Sequence, residues 1–123
     1  MAKKILIIED EHILTDMYAD RFKQEKWKVT IETSSNKGLD ITRKEKPDIV
    51  LLDILLFNGH GLEYLTVKKE DKAIAKIPVI VFSNLEDSKT KEDALKLGVL
   101  EYLLKTDYTP QELVARVNFH LKK

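Results

Sequence analysis

The stretch Ile49-Val50-Leu51-Leu52-Asp53 places four consecutive apolar residues directly before a carboxylate. Two further runs have the same length and character, Ile5-Leu6-Ile7-Ile8 and Val79-Ile80-Val81-Phe82. Unbroken apolar runs rich in β-branched residues are typical of strands buried on both faces, as in a parallel sheet. The three runs therefore predict inner strands. Two weaker runs, Trp27 to Thr33 and Leu100 to Leu104, predict strands at the edges of the sheet.

Segments with helical spacing separate these strands, and they predict helices over about residues 12–25, 36–46, 61–72, 87–97 and 110–121. The last helix has the clearest start, because Thr109, Pro110 and Glu112 supply an N-cap, a first-turn proline and a capping-box glutamate. Pro47 ends the second helix and Gly98 caps the fourth. Alternating strands and helices with right-handed crossovers predict an open, doubly wound α/β sheet.

The apolar residues of the helices predict which side of each helix is buried. The expected inward residues are Ile13, Met17, Ala19, Phe22 and Lys23 in the first helix, Leu39 and Ile41 in the second, Leu62, Leu65 and Val67 in the third, and Leu113, Val114, Val117 and Leu121 in the last.

Composition limits the class of protein. A chain of 123 residues forms one domain, so we assign residues 1–123 to a single unit. Its 21 basic and 21 acidic residues cancel, which does not suggest nucleic-acid binding. With no cysteine there can be no disulfide, thiolate zinc site or thiol nucleophile. The first apolar run is too short for a signal peptide or a membrane span, and together these features predict a cytoplasmic protein.

Polar residues follow the apolar runs, at the edge of the sheet where ligands bind in open α/β folds. They are Glu9, Asp10 and Glu11 after the first run, Asp53 after the third, Ser83 and Asn84 after the fourth, and Lys105 after the fifth. Clustered carboxylates repel one another unless a cation lies among them, and a hard oxygen set suits Mg²⁺. Lys105 and Ser83 would then hold phosphoryl oxygens by charge and by hydrogen bond. Glu11 stays outside this predicted site.

In their order along the chain, Glu9-Asp10, Asp53, Ser83 and Lys105 resemble the functional residues of response-regulator receiver domains. The resemblance covers Ile5 to Leu121. It implies a (βα)5 flavodoxin-like fold with strand order 2-1-3-4-5. It further implies that Asp53 accepts a phosphoryl group, assisted by Lys105 and Ser83.

The same resemblance implies the metal site, the partner and the response. Mg²⁺ is expected at Glu9, Asp10, Asp53 and Leu55, the last of which can offer only its main-chain carbonyl. A sensor histidine kinase or a histidine phosphotransfer protein is the expected phosphodonor. Ser83 and Tyr102 are expected to switch the surface of helix 4, strand 5 and helix 5 toward a downstream protein target, with a phosphorylation-dependent homodimer as a further possibility. No direct contact with nucleic acid or membrane is expected.

Several residues depart from the family pattern. Phe57 stands where proline is common, and Asn84 replaces a small residue and would crowd the phosphoryl group. Thr106 follows Lys105 where a cis proline is usual, so this bond is expected to be trans or strained. Gly61 matches the usual glycine of the loop after the acceptor. Leu55 and Leu85 fall at positions that tune water access in this family, and being apolar they predict a long-lived phosphoryl group.

Three alternative functions remain to be weighed. A flavin phosphate site needs a loop rich in Gly, Ser or Thr after the first strand, whereas Glu9-Asp10-Glu11 would repel a phosphate. The same acids, and the lack of a glycine motif, also exclude a P-loop. An aspartyl-phosphate hydrolase needs an acid two residues after the nucleophile, where this chain has Leu55. The third alternative is a receiver-like interaction module that is never phosphorylated. His12, His60 and His120 lack metal-ligand spacing and are expected on the surface or in loops.

Overall fold

A computed structural model describes residues 3–56 and 59–121 of the chain. Within them, five strands alternate with five helices. The strands are β1 (Lys4–Ile8), β2 (Lys28–Glu32), β3 (Ile49–Leu52), β4 (Val79–Ser83) and β5 (Glu101–Leu104). The helices are α1 (His12–Gln24), α2 (Ser35–Glu45), α3 (Gly61–Glu70), α4 (Ser88–Lys96) and α5 (Pro110–Leu121), and a short 3₁₀ turn, Lys105–Asp107, precedes α5. No helix in the described residues has the length and apolar character needed to cross a membrane.

The five strands form one parallel sheet in the order β2-β1-β3-β4-β5. This is the α/β flavodoxin-like order that the sequence resemblance implies, with the two weaker apolar runs at the edges. In the register, Ile8 lies beside Leu52 and Leu52 beside Val81. β1 and β3 therefore end side by side, β4 continues for two more residues, and the residues that follow these strands lie at one edge of the sheet.

The sheet separates two apolar layers, because successive side chains of a strand point to opposite faces. Ile5 and Ile7 pack with α1 and α5, whereas Leu6 and Ile8 pack with α2, α3 and α4. Every residue of β3 and β4 is buried. Since burying one large aliphatic side chain contributes roughly 1.5–3 kcal/mol, these runs supply much of the free energy that stabilises the fold.

The buried side of α1 differs from the prediction. Ile13 and Met17 were expected inside but are 85% and 46% exposed. The buried residues are instead Thr15, Tyr18, Ala19 and Phe22. Their spacing of three and four residues forms one stripe along the helix, and Ile13 and Met17 lie on the opposite side. Ala19 and Phe22 were predicted correctly; Ile13 and Met17 were not, and Lys23 is exposed as well.

The buried side of α3 also differs in part. Leu65 is buried as predicted and Leu62 is partly buried, but Val67 is 40% exposed, so its predicted burial is wrong. Two polar-ended side chains take the inner positions instead, namely Tyr64 and Lys68, which are 0% and 5% exposed. Hydrogen bonds make this burial tolerable: the Tyr64 hydroxyl lies 2.8 Å from the hydroxyl of Thr42 on α2.

The ends of the helices follow the sequence signals, with boundaries within about two residues of the prediction. Lys46 adopts a left-handed conformation (φ 48°) that ends α2 directly before Pro47. Gly98 has a φ of +95° after α4, where its missing Cβ avoids strain. At the start of α5, the Glu112 carboxylate accepts from the Thr109 N–H at 2.9 Å, and the Thr109 hydroxyl accepts from the Glu112 N–H at 3.1 Å.

Candidate functional site

Three charged side chains meet at the carboxyl edge of the sheet. The Lys105 ammonium donates to Oδ2 of Asp53 at 3.1 Å and also donates to Oε1 of Glu9. All three residues are buried, with exposures of 3% for Glu9, 6% for Asp53 and 9% for Lys105. Buried charges are stable only when they are paired, and here one ammonium bridges two carboxylates.

The sheet itself sets the positions of the acids. The Asp53 N–H donates to the carbonyl of Ile8 at 3.0 Å, and the Glu9 N–H donates to the carbonyl of Glu32 at 2.9 Å. Both acids therefore continue the hydrogen-bond ladders beyond the ends of β3 and β1. Lys105 opens the 3₁₀ turn that follows β5, and its long side chain reaches across to the central strands.

Glu9 is held on both carboxylate oxygens. Its Oε1 accepts from Lys105, and its Oε2 accepts from the N–H groups of Asp10 and Glu11 at 3.1 and 3.2 Å. Burial raises the pKa of Glu9 to about 7, the Lys105 hydrogen bond opposes this rise, and the Asp53 charge adds to it. Burial alone would lower the pKa of Lys105, but its bond to Glu9 and the charges of Asp53 and Glu9 raise it. The ammonium form of Lys105 is therefore favoured.

Asp10 completes an acidic cluster. One carboxylate oxygen from each of Glu9, Asp10 and Asp53 lies within 4.8 Å of the others. Three ionised carboxylates against one ammonium would leave two excess negative charges in a mostly buried site. A divalent cation with a preference for oxygen ligands fits both the charge and the donor type.

The loop after Asp53 lies close to the acceptor. The Leu55 N–H makes a long contact of 3.4 Å with Oδ1 of Asp53, and Leu55 forms a β-bridge with His60. The Leu55 side chain is 50% exposed. Gly61, predicted from the family pattern, has a steric role here, because a Cβ at this position would lie 2.8 Å from the carbonyl oxygen of Asp53.

The side chains of Ser83 and Tyr102 interact directly, and both hydroxyl groups also bond to the main chain of Leu85. The Ser83 hydroxyl accepts from the Leu85 N–H at 3.1 Å, and the Tyr102 hydroxyl donates to the Leu85 carbonyl at 2.7 Å. Ser83 is fully buried at the end of β4, and burial raises the pKa of the Tyr102 phenol. Within residues 3–56 and 59–121, Ser83 makes no direct hydrogen bond to Asp53 or Lys105. Because Leu85 acts through its main chain, no sequence signal could have revealed this link.

Two departures from the family pattern, Asn84 and Thr106, lie in the described part of the chain. Asn84 was expected to crowd the phosphoryl position, but its side chain is exposed. Thr106 is also exposed, and no cis peptide bond occurs in the described part of the chain, so Lys105–Thr106 is trans. Phe57 lies outside the described residues.

Two of the histidines have structural roles that the sequence prediction missed. The His60 Nδ1 accepts from the Leu62 N–H at 3.1 Å, and Glu63 completes the capping box at the start of α3. His120 shares the Glu101 carboxylate with Arg116. His12 is exposed, as expected.

The fold and the cluster together define an open α/β protein with an acidic, lysine-bridged site at the carboxyl edge of its sheet. Comparison with known proteins narrows this class. Residues 5–118 match the family model of the response regulator receiver domain. The chain belongs to this family of signalling domains.

Solved structures show the same fold. The BeF3-activated N-terminal receiver domain of Klebsiella pneumoniae RstA is 26% identical, with a TM-score of 0.87 over 98% of this chain and 100% of the other. A CheY-like receiver domain from Methanospirillum hungatei is 24% identical, with a TM-score of 0.89 over 98% and 94%. The non-phosphorylated HemR receiver domain from Leptospira biflexa is 20% identical, with a TM-score of 0.88 over 98% and 95%.

Proposed function

We propose that the chain is a phosphorylation switch in which Asp53 accepts a phosphoryl group from a histidine-phosphorylated protein. The observation that supports this most is the contact of Lys105 with both Asp53 and Glu9 inside a buried acidic cluster. If Asp53 only capped a loop, nothing would explain why the buried Lys105 ammonium contacts it and why the carboxylates of Glu9 and Asp10 lie close by. Sensor histidine kinases and histidine phosphotransfer proteins are the partners whose chemistry fits.

The transfer is a displacement at phosphorus. An oxygen of the Asp53 carboxylate attacks in line, the P–O bond forms, and the P–N bond to the donor imidazole breaks. Lys105 already lies 3.1 Å from Asp53 Oδ2, so its ammonium can pass from the carboxylate to a phosphoryl oxygen without a long movement. Most of the catalysis is positioning and charge stabilisation, as is general for phosphoryl transfer.

Asp10 and Asp53 are the residues that would hold Mg²⁺, together with the main-chain carbonyl of Leu55. Glu9 would contribute least, because both of its carboxylate oxygens already accept hydrogen bonds. When bound, Mg²⁺ supplies positive charge against the phosphoryl oxygens. Without a cation, the charges of Asp10, Asp53 and Glu9 would repel the incoming group.

Ser83 is proposed to bind the phosphoryl group, and Tyr102 is proposed to change position in response. A Ser83 hydroxyl that turns toward a phosphoryl oxygen would move relative to the Leu85 N–H from which it accepts and to the Tyr102 side chain with which it interacts. The Tyr102 hydroxyl is bound to the carbonyl of the same residue, so a shift of Leu85 changes the position of Tyr102. Phosphorylation would thereby favour one of two packings of the α4, β5 and α5 surface, which is how we expect the switch to reach its protein target. A homodimer formed through this surface after phosphorylation is a second proposed output.

Intact mass measurement after incubation with Mg²⁺ and a small phosphodonor tests the proposal. We expect wild type to gain one phosphoryl mass and Asp53→Asn to gain none. Asp48→Asn is the matched control, because Asp48 precedes β3 at the opposite end of the sheet, where it accepts from the Lys4 N–H. This variant should be phosphorylated like wild type, and removal of Mg²⁺ with a chelator should stop the reaction.

An unmodified wild type, or an equal mass gain on Asp53→Asn, would contradict the proposal. The first result would favour an unphosphorylated interaction module of the same fold. The second would mean that another residue accepts the phosphoryl group.

A further inference from the structure

A cavity of about 180 Å³ lies between α3 and α4, at the end of the sheet opposite the acidic cluster. Val79, the first residue of β4, and Val99, shortly before β5, form part of its wall. Its other apolar lining residues are Leu65, Ala75 and Leu97. Two lysines, Lys68 and Lys69, are the charged residues of the lining. The cavity therefore combines an apolar wall with positive charge.

Lys68 is the unusual member of this lining. Its side chain is buried, with a residue exposure of 5%, and its ammonium donates to the carbonyl of Ala75 at 3.1 Å. No carboxylate within residues 3–56 and 59–121 forms an ion pair with it. Buried ammonium groups are normally paired with a negative charge. Burial lowers the pKa of Lys68, and no opposing charge offsets this effect.

Lys69 brings a second positive charge to the same cavity. Its ammonium donates to the carbonyl of Lys96, the last residue of α4, at 3.2 Å. Gly98 also lines the cavity, and a Cβ added there would meet no atom within 4 Å. Two ammonium groups, open space and an apolar wall form a pocket suited to a small molecule with a negative head and a short hydrocarbon tail.

We propose that this cavity binds a small organic anion, a short-chain carboxylate whose head pairs with Lys68 and Lys69 and whose tail packs against Leu65, Val79 and Val99. Its volume equals that of about six water molecules at roughly 30 Å³ each, enough for a four-carbon acid. A ligand of this size gains little from contact area, so we expect affinity in the millimolar range.

The position of the cavity suggests an effector role, and this part rests on the proposed function. Leu97 and Gly98 connect α4 to β5, two elements of the proposed switching surface, and Lys69 holds the end of α4. A carboxylate that binds the two packings of this surface unequally would shift their populations. By linkage, the factor by which the bound carboxylate changes the phosphorylation equilibrium of Asp53 equals the factor by which phosphorylation changes the affinity for the carboxylate.

Titration of ¹⁵N-labelled full chain with sodium butyrate, monitored by amide chemical shifts at constant ionic strength, tests the binding site directly. We expect saturable shifts that centre on Lys68, Lys69 and Val99. Lys68→Met should weaken binding at least tenfold and Lys69→Met should weaken it less. Lys72→Met is the matched control, since Lys72 is an exposed lysine just past the end of α3 and loses the same charge.

Three outcomes would overturn the binding site: no saturable shift, shifts centred elsewhere, or equal weakening in Lys68→Met and Lys72→Met. Sodium phosphate in a parallel titration distinguishes a carboxylate site from a general oxyanion site, and tighter binding of phosphate would contradict the assignment of the ligand. The binding titration needs no phosphorylation of Asp53, so its failure and failure of the proposed function are separate results. Equal butyrate affinity before and after phosphorylation would overturn only the effector role.

Discussion

Gly61 shows how a single missing side chain shapes the acceptor loop. A Cβ at this position would lie 2.8 Å from both the Asp53 carbonyl oxygen and the Ile54 Cα, which are main-chain atoms. Because main-chain atoms of a buried loop cannot easily move aside, we expect Gly61→Ala to lower the free energy of unfolding by about 1–3 kcal/mol. Urea denaturation at neutral pH measures this change.

Gly38→Ala is a useful control for Gly61→Ala. A Cβ at Gly38 would meet the end of the flexible Ile8 side chain, which can adjust, and alanine also favours the helix interior. The loss of stability should therefore be smaller than for Gly61→Ala. Equal losses in the two variants would show that main-chain contact at Gly61 is not the cause.

We expect Leu55 and Leu85 to affect how long the phosphoryl group remains on Asp53. The two positions flank the acceptor, and apolar side chains there should hinder an attacking water. We expect Leu55→Asn and Leu85→Glu each to speed the loss of phosphate from the phosphorylated protein, as followed by the decay of the phosphorylated mass. Leu55 is 50% exposed and Leu85 is partly buried, so both substitutions should leave the fold intact.

Leu100→Asn serves as the control for the lifetime experiment. Leu100 is 41% exposed before β5 and is remote from Asp53, so its substitution should not alter the decay. Unchanged decay rates in Leu55→Asn and Leu85→Glu would refute the shielding role of the two leucines.

At the level of elements, β5 and α5 are joined by one shared carboxylate. Glu101 accepts from Arg116 and lies within hydrogen-bond distance of His120, both on α5. Burial alone would raise the pKa of Glu101, but the two hydrogen bonds outweigh this effect and hold the pKa below its ordinary value of 4.5. A carboxyl group with a depressed pKa stabilises the folded state above the ordinary value, and this stabilisation is lost as pH falls through the depressed value.

We therefore expect Glu101→Gln to be less stable than wild type near neutral pH, with a difference that shrinks below about pH 4 as the wild-type carboxylate becomes protonated. Denaturation midpoints in urea across this pH range provide the measurement. Glu92→Gln removes the same charge from an exposed pair with Lys96 on α4 and should change stability little. A Glu101→Gln deficit that persists unchanged in acid would mean that packing, not the carboxylate charge, links β5 to α5.

The elements also show which features of the fold a sequence can predict. The inner strands were predicted well, because unbroken apolar runs that are short and rich in β-branched residues favour strands covered on both faces. The buried face of α1 was not predicted correctly, because Ile13 and Met17 are apolar yet exposed, whereas Thr15 and Tyr18 are buried. Composition indicates that a helix has a buried side, but contact with the sheet decides which side it is.

For the molecule as a whole, the proposed switch predicts a response far from Asp53. Amide chemical shifts of the phosphorylated protein should differ from those of the unmodified protein in α4, β5 and α5, including Tyr102. Asp53→Asn treated with the same phosphodonor should show no such differences. Changes confined to the loops around Asp53 would refute transmission through Leu85 and Tyr102.

The residues of the candidate site could be predicted from the sequence, whereas the contacts that link the site to the rest of the molecule could not. Glu9, Asp10, Asp53 and Lys105 could be placed together because parallel strands deliver the residues after them to one edge. The main-chain bonds of Leu85 and the cavity beside Lys68 could not be predicted. Both depend on how loops and helices pack across the sheet, and neither leaves a pattern in the order of residue types.

The strand order also has a consequence for the speed of folding. β3 is the central strand of the sheet and β1 is its neighbour, yet the contact of Lys4 with Asp48 joins residues 44 positions apart. The chain must close this long loop before its two most apolar strands can pair, and parallel pairing of distant segments makes folding slow. During synthesis, β1 can pair with β2 once β2 has emerged, but the other edge of β1 stays unpaired until β3 has left the ribosome, and an unpaired strand edge favours aggregation.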